Sequence, residues 1–333
     1  MILVTGGAGY IGSFAVLKLS MQNEKIVIFD NLSTGHIETI NTLKKINPDI
    51  CFVQGDLNNI SDIENIFKKY EISEVIHFAG LSIVEESIKN PSKYYKNNVA
   101  GTVNLLNAMV KYNVLKIVFS STASVYGEPE YTPIDENHPK KPVNPYGKTK
   151  LIIENIMDDY DKAYNLKSIR LRYFNVIGAD NLSRIGEWHD TETHLIPNII
   201  KSAYIKTSPF KIFGDDYATP DGTCIRDYIN VCDLADAHYL AIKYLRKENK
   251  TDVFNLGTGT GTSVKEIFNL TRGVLGKDIP FEIAPKRKGD PAILCASSKK
   301  AQEILGWKIN HSIKESIKTA YLWEDKLQKL KTI

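Results

Sequence analysis

Tyr146 and Lys150 stand four residues apart in the stretch NPYGKTK (144–150). On a helix this spacing projects both side chains from one face, and the apolar positions of KLIIENIMDDYDKAY (150–164) recur at helical intervals. A free phenol titrates near ~10 and is a poor base at neutrality. A neighbouring ammonium favours the phenolate and makes Tyr146 a usable acid–base group. A tyrosine lying on a solvated lysine has the same spacing, so the pair alone does not establish chemistry. The preceding strand-like run, KIVFSSTASVYG (116–127), ends in three hydroxyls, Ser120, Ser121 and Thr122. A hydroxyl there can bridge a substrate oxygen and the tyrosine, although Ser and Thr are also favoured at turns and caps.

A second constellation lies at the N-terminus. In TGGAGYIG, residues Gly7, Gly9 and Gly12 spell GxGxxG, and Gly6, Gly9 and Gly12 spell GxxGxxG. Glycines in this pattern allow a sharp turn, close backbone approach to a pyrophosphate and tight packing of the next helix, whose N-terminal N–H groups face the phosphates. The glycines follow an N-terminal strand and precede a helical run (SFAVLKLSM), and Asp30 closes the next strand about 20 residues on. An acid there accepts hydrogen bonds from ribose hydroxyls and repels a 2′-phosphate. No Arg or Lys occurs in NLSTGH (31–36) to welcome that phosphate, so NAD is expected rather than NADP.

The elements that must position these residues alternate. ILVT (2–5), KIVIFD (25–30), ICFVQGD (50–56), EVIHFAG (74–80), KIVFSS (116–121) and SIRLRYF (168–174) are strand-like, with amphipathic segments such as SDIENIFKKY and GTVNLLNAMVKY between them. This alternation predicts an α/β fold, a Rossmann-type doubly wound parallel sheet with helices on both faces and ligands at the strand C-termini. After about residue 174 the rhythm breaks. The stretch 176–228 is rich in Gly, Asp, Pro and Thr with an apolar helix around 195–205, followed by strand-like VFNLGTG (253–259) and a helix near 263–275. The expected division is an NAD-binding domain over 1–174, completed by segments around 229–259, and a smaller C-terminal α/β substrate lobe from 175–228 and 260–333.

Composition narrows the function classes. The chain has 333 residues, 43% of them hydrophobic, with a formal net charge of only +3, so no basic footprint for nucleic acid or a membrane surface is expected. Four scattered cysteines form no CxxC, which argues against a disulfide framework or structural zinc and fits a reducing compartment. No apolar run reaches membrane-spanning length, and MILVTGG lacks the charged start of a signal peptide. A soluble cytoplasmic protein is expected.

With these residues in place, the sequence resembles the extended branch of the short-chain dehydrogenase/reductase superfamily, and within it the UDP-glucose (UDP-galactose) 4-epimerase family. The matching stretches are VTGGAGYIGS, DNLSTG, VIHFAG, YYKNNVAGT, FSSTASVYGEP, NPYGKTK, LRYFNVIGA, IFGDDYATPDGTCIRDYINVCDLADAH and RKGDPA. The resemblance implies tightly held NAD, a UDP-hexose substrate and a homodimer built partly on the helix carrying Tyr146. It assigns the cofactor to Gly6, Gly9, Tyr10, Ile11, Gly12, Asp30, Asn31, Ser33, Thr34, Gly35, Asp56, Leu57, Phe78, Ala79, Gly80, Asn97, Lys150 and Phe174. It assigns the substrate to Thr122, Tyr146, Asn175, His194, Leu195, Phe213, Arg226, Arg287, Asp290 and Leu294. The two arginines suit a diphosphate, which favours fixed cationic forks; a surface salt bridge to Asp227 or Asp290 is their other reading.

Three positions depart from the family pattern. Thr122 stands where some members have Ser and keeps the bridging hydroxyl. Ser82 replaces a lysine near the cofactor, so that contact is not carried over. His194 replaces an Asn. The implied reaction is NAD-dependent inversion at C4, interconverting UDP-glucose and UDP-galactose: Tyr146 takes the 4-OH proton, a 4-keto sugar forms, turns about its diphosphate tether and is reduced on its other face. A 4,6-dehydratase or decarboxylase of the same family is the enzymatic alternative, and a non-catalytic NAD-sensing protein the other. Dehydratase relatives carry an Asp-Glu pair after the strand-end Thr; here Ala123 and Ser124 stand there and can supply neither acid nor base. Leu294, near the expected hexose 2-substituent, is smaller than tyrosine and larger than glycine, which leaves UDP-GlcNAc/UDP-GalNAc open. In EWHDTETH (187–194), His189, Asp190, Glu192 and His194 carry ligating groups, but the spacing suits a loop rather than a helical two-His site, and no metal is expected. His77, inside a strand, is expected to be a hydrogen-bonded core residue.

Overall fold

The computed structural model describes residues 1–204, 209–287 and 290–331. The first six β-branched runs form β1 (Ile2–Thr5), β2 (Ile26–Asp30), β3 (Cys51–Gln54), β4 (Glu74–His77), β5 (Lys116–Ser120) and β6 (Lys167–Tyr173). They are followed by β7 (Asn175–Ile177), β8 (Phe210–Phe213), β9 (Ile225–Asn230), β10 (Asp252–Leu256), β11 (Gly261–Ser263), β12 (Phe281–Ala284) and β13 (Ile293–Leu294). Seven of these make one sheet in the order β10-β6-β5-β4-β1-β2-β3, with every pairing parallel. The chain runs outward from β1 to β3 and then crosses back to β4. A switch point therefore opens between β1 and β4, where the strand ends leave a crevice.

The helices are α1 (Tyr10–Met21), α2 (Ile37–Ile46), α3 (Ile60–Lys69), α4 (Val84–Lys89), α5 (Pro91–Tyr94), α6 (Gly101–Lys111), α7 (Pro145–Tyr164), α8 (Leu195–Ser202), α9 (Val231–Glu248), α10 (Val264–Leu275), α11 (Lys299–Leu305) and α12 (Ile313–Lys331). One face of the sheet is sealed by Phe14 and Val16 of α1, Leu234 and Ala241 of α9, and Trp307. The other is sealed by Ile63 and Phe67 of α3, Leu105 and Met109 of α6, and Ile153 and Met157 of α7. Each fully buried aliphatic or aromatic side chain of this kind contributes ~1.5–3 kcal/mol. Both faces of β1 and β2 are covered, which is why they read as continuous apolar runs rather than alternating ones. Ala301, Leu305 and Trp307 also join this packing, although the sequence division places 260–333 in the other lobe.

Beyond β6 a smaller sheet forms around β9, which pairs in parallel with β7 and β13 and antiparallel with β11; β8 pairs with β12. Its core joins Ile196, Ile199 and Ile200 of α8 to Phe268 of α10 and Ile317 of α12. The expected helix around 195–205 closes at Ser202, and residue 205 lies outside the described residues. The helix near 263–275 starts at a capping box, with Ser263 and Glu266 satisfying each other's backbone N–H groups. A small apolar cluster of Val125, Tyr126, Ile134, Phe174 and Ala296, flanked by Ala123, Leu151 and Leu294, packs between the two sheets.

Candidate active site

The end of β1 and the start of α1 form the cofactor candidate. Gly6 has φ +73°, and a Cβ there would lie 2.5 Å from the Ala79 backbone nitrogen. A Cβ on Gly12 would lie 2.2 Å from the Gly6 carbonyl oxygen. These two glycines serve the turn and the packing of α1 on the sheet. Gly9 differs: an added Cβ would meet one atom only, at 3.5 Å, so its open side is free for a ligand. Gly9 is also the N-cap of α1 and offers no side-chain cap. The first-turn N–H groups therefore have no side-chain partner at that cap, and an anion fits there. Tyr10 and Ile11 open the helix, and the Tyr10 hydroxyl donates to the Gly178 carbonyl (2.5 Å).

Asp30 ends β2, nearly buried, with its carboxylate accepting from the Ala8 N–H (2.9 Å) and the Leu32 N–H (2.8 Å). Burial raises its pKa while these two bonds lower it, so further hydroxyl donors would stabilise the charged form. Asn31 donates to Asp56 (2.9 Å), fixing the β2 and β3 end loops together. A cavity of about 240 Å³ beside them is lined by Asn31, Ser33, Thr34, Asn58, Leu81, Lys93, Lys96 and Asn97. The two lysines come from α5 and the π-helical turn 95–100, so inspection of NLSTGH alone misses them. Lys93 pairs with Glu86 at 2.5 Å, and Lys96 acts on the Asp56 carboxylate.

Asn144 caps α7, its side chain accepting from the Gly147 N–H at 2.8 Å, and Pro145 occupies the first turn. A Cβ on Gly147 would lie 2.5 Å from the Ser124 carbonyl oxygen. Gly147 thus lets the first turn of α7 approach the β5 end loop closely enough for the Thr122 hydroxyl to hydrogen-bond with Tyr146. The three adjacent hydroxyls have three different partners. Ser120 shares a short hydrogen bond with the Tyr173 hydroxyl. Ser121 donates to Glu154 (2.6 Å), which also pairs with Arg172 at 2.6 Å. Thr122 alone reaches Tyr146.

Lys150 is buried, its Nζ donating to the Ser120 carbonyl (2.8 Å) and lying 4.8 Å from the Phe119 ring centroid. Burial lowers its pKa to about 8, opposed by Glu154. Burial raises the Tyr146 pKa and the Thr122 hydrogen bond lowers it. The Lys150 ammonium, which the sequence reading sets beside the phenol, is directed at the Ser120 carbonyl. Gly80 faces this group: a Cβ on it would lie 3.7 Å from Lys150 Nζ and 3.3 Å from Asn98 Oδ1. Asn98, which sequence reading missed beside Asn97, is the hub of the turn. It bonds the Leu81 N–H and carbonyl, Thr149 and Asn97. His77 is a core residue, held by Thr5 (2.6 Å) and Thr102 (2.9 Å) and kept neutral by burial, its pKa lowered to about 3.

On the side of the smaller sheet, Asn175 donates to the Asp227 carbonyl (3.0 Å). Arg226 pairs with Asp290 at 2.5 Å, while the Asp227 carboxylate accepts from the Thr258, Gly259 and Ala296 N–H groups. Of the two salt-bridge partners considered for Arg226, only Asp290 is used. The Arg287 guanidinium lies 4.0 Å from the Phe213 ring centroid; the pKa of Glu85 on α4 is lowered chiefly by Lys89, with a smaller effect from Arg287. Leu294 pairs with Arg226 across β13 and β9 and packs against the Phe174 cluster. Leu195 starts α8, and His194, its N-cap, turns Nδ1 to the Glu187 carboxylate in a short contact. Lys288 and Gly289 of the RKGDPA stretch lie outside the described residues.

Comparison with known proteins bears on this arrangement. The family model for GDP-mannose 4,6 dehydratase matches residues 3–320. A UDP-glucose 4-epimerase of Halalkalibacterium halodurans is 51% identical over 97% of this chain and 95% of its own. The structure is similar to that of a UDP-glucose-4-epimerase from Stenotrophomonas maltophila with bound NAD and formylated UDP-arabinopyranose (TM-score 0.95, 38% identity, 99% of each chain). It is also similar to the UDP-Glc/GlcNAc 4-epimerase of Campylobacter jejuni (TM-score 0.86, 39% identity, 98% of this chain and 99% of that one).

Proposed function

The chain belongs to the UDP-glucose 4-epimerases within the GDP-mannose 4,6-dehydratase family of extended short-chain dehydrogenases/reductases, and we propose the roles its residues play in the family reaction. It is an NAD-dependent enzyme that inverts C4 of a UDP-hexose through a transient 4-keto sugar. NAD supplies the reversible two-electron chemistry at C4. Tyr146 is the acid–base group, taking the 4-OH proton in one half-reaction and returning it in the other, with Thr122 holding the phenol and the sugar oxygen in line. Lys150 provides the cation that favours phenolate. Gly6, Gly9, Tyr10, Ile11 and Gly12 form the cofactor cradle, and the open side of Gly9 fits a pyrophosphate. Asp30 and the Asn31–Gly35 loop, Asp56, Leu57, Phe78, Ala79, Gly80, Asn97 and Phe174 complete it.

Arg226 and Arg287 clamp the diphosphate, which must compete with Asp290 for Arg226; Asn175, Leu195 and Phe213 line the nucleotide side. His194 contributes at most Nε2 to a substrate oxygen, because Nδ1 faces Glu187. This division assigns NAD to the large sheet and UDP-sugar to segments 175–228 and 260–333. A homodimer built partly on α7, and a cytoplasmic location, belong to the same reading. Among the described residues no helix is long and apolar enough to cross a membrane.

The observation that carries the catalytic assignment is the convergence of Tyr146, Thr122 and buried Lys150 at the C-terminal end of β5. A dehydratase reading is disfavoured by Ala123 and Ser124, which offer no carboxyl groups after Thr122. The test is interconversion of UDP-glucose and UDP-galactose by purified protein without added NAD. Absence of interconversion by protein with confirmed bound cofactor would overturn the assignment.

A further inference from the structure

Apart from His194 Nε2, the loop 187–194 takes no part in the proposed reaction. The sequence offers His189, Asp190, Glu192 and His194 as ligating groups, and their spacing counts against a metal. The folded loop changes the set: Glu187, His189, Glu192 and His194 offer one ligand atom each, all within 4.8 Å of one another. His189 Nδ1 lies 3.4 Å from Glu187 Oε1 and 3.6 Å from Glu192 Oε2, and His194 Nδ1 lies 3.7 Å from Glu192 Oε1. His194 Nδ1 also makes a short contact with Glu187 Oε1, so the four donors form a compact group that must open slightly to seat one ion at ~2.0–2.2 Å from each.

The surroundings hold the donors in place. The Glu187 carbonyl accepts from Trp323 Nε1 (2.8 Å) on α12. Trp188 stacks on His36 with centroids 3.9 Å apart, and its carbonyl lies 3.2 Å from His36 Nε2. Glu192 Oε1 accepts from the Thr193 and His194 N–H groups, both at 2.8 Å, leaving Oε2 for another partner. The side chains of Glu187 and Glu192 are 7% and 5% exposed, and two carboxylates so withdrawn from water need positive charge beside them, which His189, His194 and Lys201 supply in the absence of an ion.

We infer that Glu187, His189, Glu192 and His194 form a structural site for a zinc-class divalent cation that ties the loop before α8 to the rest of the fold. Two imidazoles and two carboxylates suit Zn²⁺ or Co²⁺ and disfavour Mg²⁺ and Ca²⁺, which take oxygen shells. Four protein ligands fill a tetrahedral shell and leave no open position, so the site is structural rather than catalytic. The ion must displace the protons that bind the imidazoles to the carboxylates in its absence, and it competes with Lys201, 3.6 Å from Glu192 Oε2.

The test uses the intact enzyme, dialysed against chelator and titrated with Co²⁺ alone. One equivalent should bind with the strong visible absorption of tetrahedral Co²⁺, and one equivalent of Zn²⁺ should displace it and raise the thermal midpoint. His189→Ala and Glu192→Gln, each checked by circular dichroism for retained fold, should weaken binding by at least ~10-fold, as loss of a direct ligand costs no less than loss of its supporting partner. No binding to the wild-type protein overturns the inference. So does undiminished binding in both variants, which would locate the ion elsewhere.

Discussion

Replacing Tyr146 by phenylalanine removes one oxygen and leaves the ring in place. The structural cost follows from the partner lost: the Tyr146 hydroxyl bonds Thr122, and a net hydrogen bond contributes ~0.5–1.5 kcal/mol. Thr122 keeps another partner, the Ser124 N–H at 3.1 Å, so its hydroxyl is not orphaned. The thermal midpoint should therefore fall by only a few degrees. The catalytic cost is larger. A positioned acid–base group contributes ~10²–10⁴-fold, about 2.7–5.5 kcal/mol of barrier. Here the group acts in both half-reactions, so kcat should fall by at least ~10²-fold with little change in KM. The assay is a coupled measurement of UDP-galactose to UDP-glucose conversion, alongside the cofactor content of the purified variant. Near-normal turnover would refute the role of Tyr146. A lost turnover accompanied by lost NAD or by unfolding would refute the separation of chemistry from structure argued here.

Lys150→Met should abolish most turnover yet cost little stability. Burial lowers the Lys150 pKa to about 8, so at neutral pH its charge is held at a penalty of roughly 3 kcal/mol relative to the unfolded chain. That relief offsets the loss of its bond to Ser120, and a stability loss above ~3 kcal/mol in urea unfolding would contradict it. Gly9→Ala should fold normally and bind NAD weakly, whereas Gly12→Ala, with its Cβ 2.2 Å from the Gly6 oxygen, should lose soluble expression; equal behaviour of the two would refute their separate roles. Leu294→Tyr should lower the ratio of UDP-GlcNAc to UDP-glucose turnover by ~10-fold or more, as overpacking costs ~1–3 kcal/mol, and an unchanged ratio would refute the placing of Leu294 near the hexose 2-substituent. Stability should fall as pH drops from 7 to 5. Burial lowers the pKa of His77 to about 3 and of His238 to about 4, so the unfolded chain takes up protons that the folded state refuses. That removes about 2 kcal/mol per histidine by pH ~5. In the metal-free protein His189 and His194, whose values Glu187 and Glu192 raise, stay charged when folded while the unfolded chain protonates between pH 7 and ~6, so they offset part of this loss there and little of it below. Urea unfolding at the two pH values checks this, and a His238→Gln variant with an unchanged drop would count against it.

The parts of this protein encoded along one short stretch were legible in the sequence. Strand–helix alternation specified the parallel sheet, the glycine pattern specified a turn that only small residues can make, and the Tyr146/Lys150 spacing specified one helical face. Each depends on neighbours within a turn or a strand, where periodicity is enough. Partner choice was decided elsewhere. Three adjacent hydroxyls were separated by alternation of the strand and by what β6 and α7 bring to each: Tyr173, Glu154 and Tyr146. Asn98, rather than the sequence alone, fixes how the π-helical turn meets Gly80, and Lys93 and Lys96 reach the Asn31 cavity from a distant element. Glu187 displaced Asp190 in the histidine loop because Trp323 holds its backbone against α12. Such pairings join residues tens to hundreds of positions apart, and strand order, close packing and burial select among partners that the linear sequence leaves equivalent.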